Sequence, residues 1–183
     1  YSRTPPKTPP RHNVIIQLCS FECCFGHNLD EPKCSYNTSF VEDLKAWSKI
    51  CDKVYVWDYV VNFHRLMNPH VNYDYGVLAE NIRFFYENNV IGLFEQGMGS
   101  GESGEFGEMR AYLIAKLMSD PYMTEEEYYT HMDEFLEAYY GKNWREIRKV
   151  IDLMFEKTKN FHFIIYDTTD MYSLVLRKEI DGI

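Results

Sequence analysis

The chain has no basic surplus. Its 28 Asp and Glu outnumber 19 Lys and Arg, giving a formal net charge of -9. A phosphate backbone needs a basic face, so nucleic acid is not an expected partner. Long hydrophobic runs are also missing. The apolar stretches are a handful of residues, against the roughly 20 needed to span a bilayer, and no membrane partner is expected. No secretory signal is visible, and the chain opens at Tyr1 rather than at Met, so a natural start upstream is expected. The glycine-rich stretch Gly97 to Gly107 has no GK[ST], which excludes a P-loop. The five cysteines, Cys19, Cys23, Cys24, Cys34 and Cys51, are odd in number and include an adjacent pair. That is not the disulfide framework of a small secreted domain, and it leans towards a reducing, cytoplasmic compartment.

What is present is a chain of 183 residues, 45% hydrophobic and 16% aromatic, enough for one domain with a real core. After a proline-rich connector, TPPKTPP, the run Asn13 to Cys19 reads as a buried strand rich in β-branched residues. Ser39 with Glu42 forms a capping box that predicts a helix to about Cys51. Val54 to Trp57 is the next strand, and a long loop with Asn68-Pro69 leads to a helix from about Val77 to Asn88. Val90 to Phe94 is a third strand, and a helix from about Glu108 to Met118 stops at Asp120-Pro121. Strands alternating with amphipathic helices imply parallel βαβ units. From Thr124 the pattern turns helical. Thr124 and Glu127 form a capping box, Gly141 is a C-cap, and Asn143 can cap a second helix to about Lys159. The expected organisation is therefore βα units over residues 1–121 and a helical extension, mainly a hairpin, over 122–183. The hairpin aromatics Tyr128, Phe135, Tyr139, Trp144 and Phe155 are expected in its core, and the tail FHFIIYD is expected to be extended.

The informative feature is an acid close after each strand: Glu22, Asp58 and Glu95, at spacings of 58 − 22 = 36 and 95 − 58 = 37 residues. A (β/α)₈ barrel repeats about every 31 residues, so each acid arrives one unit later, at the C-terminal rim where barrel active sites lie. A carboxylate beside aromatics at a strand end is costly unless it is paired, bound or solvated in a cleft. Glycoside hydrolysis commonly uses two carboxyls flanking the bond. Glu22, Asp58 and Glu95 are thus the candidate catalytic groups. The competing reading for any one of them is a structural partner, an arginine or a helix cap. Trp57, Tyr59, Asn62, His64, Gln96 and His27 are the candidate sugar-contacting residues, offering ring faces, amides and imidazoles.

The segments LCSFECCFGHNLDEPKC, FVEDLKAWSKICDKVYVWDYVVNF, NIRFFYENNVIGLFEQG and GEMRAYLIAKLMSDP occur in order and at matching spacing. Together they resemble a large bacterial family, the domain-of-unknown-function family DUF4838, over about residues 4 to 155. That family is grouped with glycoside-hydrolase-type TIM barrels, including α-glucuronidase-like enzymes. The resemblance implies that this chain is the C-terminal part of a (β/α)₈ TIM barrel, with earlier strands elsewhere. It implies a carbohydrate partner but assigns no reaction. The expectation is a glycoside hydrolase, inactive as this piece alone, and the alternative is a non-catalytic carbohydrate-binding or interaction module. Three βα units cannot close an eight-stranded sheet, so an open edge is expected, covered by other segments or by homo-oligomer formation.

The loop after the first strand gathers Cys19, Cys23, Cys24, His27 and Cys34. Zinc takes four such ligands, but the spacing matches no common CxxC pair. A disulfide from Cys23 or Cys24 to Cys34 is another reading. Plain thiols, with no metal and no cofactor, are the expectation. Asn37-Thr38-Ser39 fits a glycosylation sequon, a triplet common by chance. The glycine-rich loop is expected to act as a lid.

Overall fold

A computed structural model of the chain describes residues 4–61, 74–97 and 106–165. Asn62, His64, Asn68-Pro69, most of the glycine-rich loop and the tail beyond 165 lie outside the described residues. Three strands, β1 (Ile16–Cys19), β2 (Val54–Tyr59) and β3 (Val90–Gln96), form one sheet in the order β1-β2-β3. Both pairings are parallel. Helices α1 (Ser35–Ser48), α2 (Tyr75–Glu87) and α3 (Gly107–Ser119) succeed the strands in turn. The α/β class and the partial βα repeat read from the sequence are therefore what the chain forms. Among the described residues β1 and β3 are both edges. No helix among them is long and apolar enough to cross a membrane.

The strands bury one face. Leu18, Val54 and Val56 pack with Leu44 and Trp47 of α1 and with Phe84 and Phe85 of α2. Strand alternation then assigns the other side chains: Ile16, Leu18, Val54, Val56 and Leu93 face the helices, while Gln17, Cys19, Tyr55, Trp57 and Phe94 face away from them. A bulge lies between Val54 and Tyr55, where the pairing steps from Val54↔Val90 to Tyr55↔Gly92. It leaves Ile91 as the extra residue. A Cβ on Gly92 would meet the Tyr55 ring at 2.6 Å, so this ring lies flat over a position only glycine fills.

Helix α1 begins five residues before the expected start, N-cap to N-cap. Its N-cap is Cys34, whose side chain makes no capping bond. Ser39 and Glu42 therefore sit inside the helix, and the sequence capping box is not used. By contrast, the box at Thr124 and Glu127 does open α4 (Glu125–Tyr140). The Glu127 amide donates to Thr124 Oγ1 at 3.3 Å, and the Thr124 amide donates to Glu127 Oε2 at 2.9 Å. Thr124→Ala should cost about 1 kcal/mol of stability, read as a lowered urea midpoint with an unchanged slope. An unchanged midpoint would mean solvent satisfies the same amides equally well.

A turn of 3₁₀ helix joins α4 to α5 (Trp144–Thr158), completing the expected hairpin. The hairpin does not stand apart. Tyr128, Met132, Leu136 and Ile151 share one core cluster with Leu78 and Ile82 of α2 and Met109, Leu113 and Leu117 of α3. Of its aromatics, Tyr128 is fully buried, whereas Tyr139 is exposed and stacks on Phe135 with centroids 5.4 Å apart. After α5 the chain has no regular structure over 161–164 and returns to the sheet: the Phe25 amide donates to Phe163 O at 2.7 Å, and Ile165 packs on Phe25 and Tyr59.

Candidate functional site

Two of the three expected acids meet. Asp58 and Glu95 are register partners on β2 and β3, each inside its strand rather than after it. Register partners on adjacent strands put their side chains on the same face. The residue level with them on the β1 side is Ser20, whose amide donates to Trp57 O at 3.2 Å and whose hydroxyl donates to Asp58 Oδ1. Ser20, not Glu22, completes the row. Glu22 lies two residues further along, on an exposed part of the loop.

This row faces the helices. Asp58 is 6% exposed, and it borders a small void with Val77, Leu78 and Asn81 of α2 and the Cys23–Phe25 turn. Burial pushes the Asp58 carboxyl up to about 6, against the pull of its bonds from Ser20 and the Tyr59 amide. The Glu95 carboxyl is raised well above its ordinary value, first by burial and then by the charge of Asp58, while the buried Arg110 guanidinium of α3 pulls it back. Glu95 Oε2 is sealed from solvent and accepts no hydrogen bond among the described residues. Burial and their mutual repulsion both favour the protonated forms of the two carboxyls.

The opposite face of the sheet is a row of rings. Trp57 is 39% exposed and Phe94 51%. Trp57 stacks on Tyr59 (centroids 6.3 Å, 17° between planes) and meets Phe94 edge-on at 5.2 Å. Gln96 pairs with Tyr59 in the register, so it ends the same face. A cleft of about 740 Å³ wraps the free edge of β1 beside this face. Glu22 and Phe21 line it with Gln17, Tyr59, and Tyr36 and Asp43 of α1. Of the three expected acids, Glu22 alone opens onto it. Trp57, Tyr59 and Gln96 therefore fall together on one face, with Glu22 at its border.

His27 does not join them. Its ring lies 4.7 Å from that of His162, and its Nδ1 is 3.4 Å from Cys24 Sγ. Burial and the facing His162 lower its pKa. No disulfide joins any of the five cysteines. Cys19 donates to the Tyr59 hydroxyl at 3.6 Å, Cys51 to Lys53 O at 3.5 Å, and Cys23 sits in the sheet–helix core. Cys24 and Cys34 instead share a pocket with the two histidines. Burial raises the Cys24 thiol to about 11. Sequence reasoning misses His162, which reaches this loop from 128 residues beyond Cys34.

A family model described as a domain of unknown function, DUF4838, matches residues 1–152. No curated protein and no solved structure matches the chain.

Proposed function

The chain belongs to the DUF4838 family, and we propose that its sheet is part of the carbohydrate-binding wall of a glycoside-hydrolase-type TIM barrel. The observation that supports this reading is the pair of exposed rings, Trp57 and Phe94, on the face turned away from the described helices, with Tyr59 buried under Phe25 and Ile165 beside Trp57 and the Gln96 amide at the end. Sugars present C–H faces that stack on such rings and hydroxyls that pair with amides and carboxylates. Binding sites of this kind are mostly apolar walls with a few placed polar groups. In the barrel reading, the helix-free face is the inside and the strand ends are its rim.

The same reading divides the three acids. Glu22, at the cleft, is the group able to touch a bound sugar. It is the candidate catalytic acid or base, to be paired with a second carboxyl across the cleft. Asp58 and Glu95, on the helix side, act as a positioning pair that ties β2 and β3 together behind the ring row. A non-catalytic binding module is the second reading, and it is favoured by the seclusion of those two carboxyls.

The test uses the full-length protein against a panel of immobilised polysaccharides and released oligosaccharides. Trp57→Ala should weaken glycan binding about tenfold or more, the scale of a central aromatic anchor. Glu22→Gln should leave binding in place. If the protein is a hydrolase, it should also cut turnover by about 10²- to 10⁴-fold. Binding untouched by Trp57→Ala would remove the wall. Retained binding with no turnover in the unmutated protein would select the non-catalytic module.

A further inference from the structure

We propose that Cys24, His27, Cys34 and His162 form a structural zinc site. It clamps the loop after β1 to the segment beyond α5, and it stands independently of the carbohydrate reading. One ligand atom from each residue, two sulfurs and two imidazole nitrogens, all lie within 4.8 Å of one another. A tetrahedral zinc with Zn–S of about 2.3 Å and Zn–N of about 2.0–2.1 Å holds its ligand atoms about 3.3–3.8 Å apart. Cys24 Sγ to His27 Nδ1 is 3.4 Å and Cys34 Sγ to His162 Nδ1 is 3.6 Å. Two sulfur–nitrogen edges of the tetrahedron are therefore at its spacing already, and the rest need a contraction of an ångström or so. Two thiolates with two imidazoles is the donor set that selects zinc among common divalent ions.

The surroundings are those of a metal turn. Cys24-Phe25-Gly26-His27 places two ligands three residues apart on one tight loop. The Phe163 amide donates to Cys24 Sγ at 3.4 Å, a bond that favours a thiolate. Cys34 is the N-cap of α1 and caps nothing. Its sulfur therefore sits beside the N-terminus of α1. Gly26 lets the loop and the segment beyond α5 pass close together: a Cβ there would meet Phe161 O at 2.5 Å and the Phe163 ring at 2.7 Å. The ring of Tyr36 packs against that of His162 at 5.0 Å and holds it over the site. Four protein ligands leave no open position, which is the arrangement of a structural rather than a catalytic zinc. Binding expels the two thiol protons as the Zn–S bonds form. The clamp fixes the loop that carries both Ser20 and Glu22.

The experiment is metal analysis of the full chain purified from zinc-supplemented medium without chelator, then replacement with cobalt. One zinc per chain is expected. Cobalt should give the visible bands of a tetrahedral ion and a thiolate-to-metal charge-transfer band. Cys34→Ser and His162→Gln should each lose most of the zinc, whereas Cys19→Ser and Cys51→Ser should keep it. If the ligand variants fail to fold, the cobalt spectrum of the unmutated chain still decides. A chain that takes up neither ion, with all five cysteines reacting as free thiols in the folded state, would overturn the site. So would zinc retained by both Cys34→Ser and His162→Gln.

Discussion

Asn37→Ala is expected to destabilise the fold by about 3–5 kcal/mol, a large share of the stability of a domain this size. Asn37 lies in the first turn of α1 and is 0% exposed. Its Oδ1 accepts from the Cys24 amide at 2.8 Å, and its Nδ2 donates to Asn28 O at 3.1 Å and Cys24 O at 3.4 Å. One side chain therefore satisfies both backbone groups of Cys24 and a third on the far side of the turn. Each buried partner left unpaired costs roughly 1–3 kcal/mol, and the vacated space adds to it. Asn37→Asp keeps the acceptor for Cys24 N but turns an acceptor towards two carbonyls, so it should not rescue. The measurement is urea unfolding of the three proteins; a loss under about 1 kcal/mol for the alanine variant would mean that water replaces all three bonds. The same burial decides the sequon. Asn37 has no exposed surface in the folded chain, so mass spectrometry of protein secreted from a eukaryotic host should find it unmodified.

The βα alternation is legible in the sequence because it rests on local signals: β-branched runs, amphipathic spacing and breakers such as Asp120-Pro121. The helical hairpin is legible for the same reason, through Thr124, Glu127 and Gly141. The start of α1 is not, because Ser39 and Cys34 compete as its N-cap. Ser39 has the better motif, but helix formation begins at Ser35, where Asn37 can serve the Cys24 turn. That choice depends on contacts a motif cannot register.

The site is legible in composition but not in facing. Equal spacing suggests that Glu22, Asp58 and Glu95 stand level, yet the pairing offset from β1 to β2 is 38 residues, as in Leu18↔Val56. That offset brings Ser20 to Asp58. Between β2 and β3 the offset changes from 36 to 37 at the bulge, from Val54↔Val90 to Val56↔Leu93. Had the strands paired without the bulge, keeping the offset of 36, Glu95 would face Tyr59 instead of Asp58. A single inserted residue changes which side chains are neighbours, and nothing in VIGLFEQ announces it. Gly92 is the one local trace, since its missing side chain admits the Tyr55 ring. The ring row is half legible: Trp57, Tyr59 and Gln96 stand out at their strand ends, but Phe94, on the same face, reads only as part of a strand. His162 cannot be paired with the cysteine loop, because sequence gives no measure of a contact made across 128 residues.

The stability of the chain is expected to fall as pH rises from about 4 to above 6, and Asp58→Asn is expected to flatten that fall. The Asp58 carboxyl moves from an unfolded value of 3.8 to about 6 in the fold. Between those values the folded state holds a proton that the unfolded state has released. Stability therefore decreases with pH through this window. Below about pH 4 both states are protonated and the contribution is fully present; above the folded value it is lost. Glu95, raised for the same reason and by Asp58 itself, extends the decline to higher pH. At about 1.4 kcal/mol per pKa unit, Asp58 alone accounts for on the order of 3 kcal/mol across the window. Asp74, also raised by burial, contributes in the same direction, so the test is a difference between two proteins. Asp58→Asn can keep the bond from Ser20 and removes the ionisable group. It also removes the charge that raises Glu95, so both contributions shrink together. Urea unfolding of the unmutated chain and Asp58→Asn, from about pH 4.5 to pH 8, measures this directly. The variant should be less sensitive to pH and relatively more stable at the alkaline end. Parallel pH profiles would mean that Asp58 is solvated or fully paired as an anion. The helix-side acids would then be an ordinary ionic contact with Arg110 rather than a pair that burial drives towards protonation.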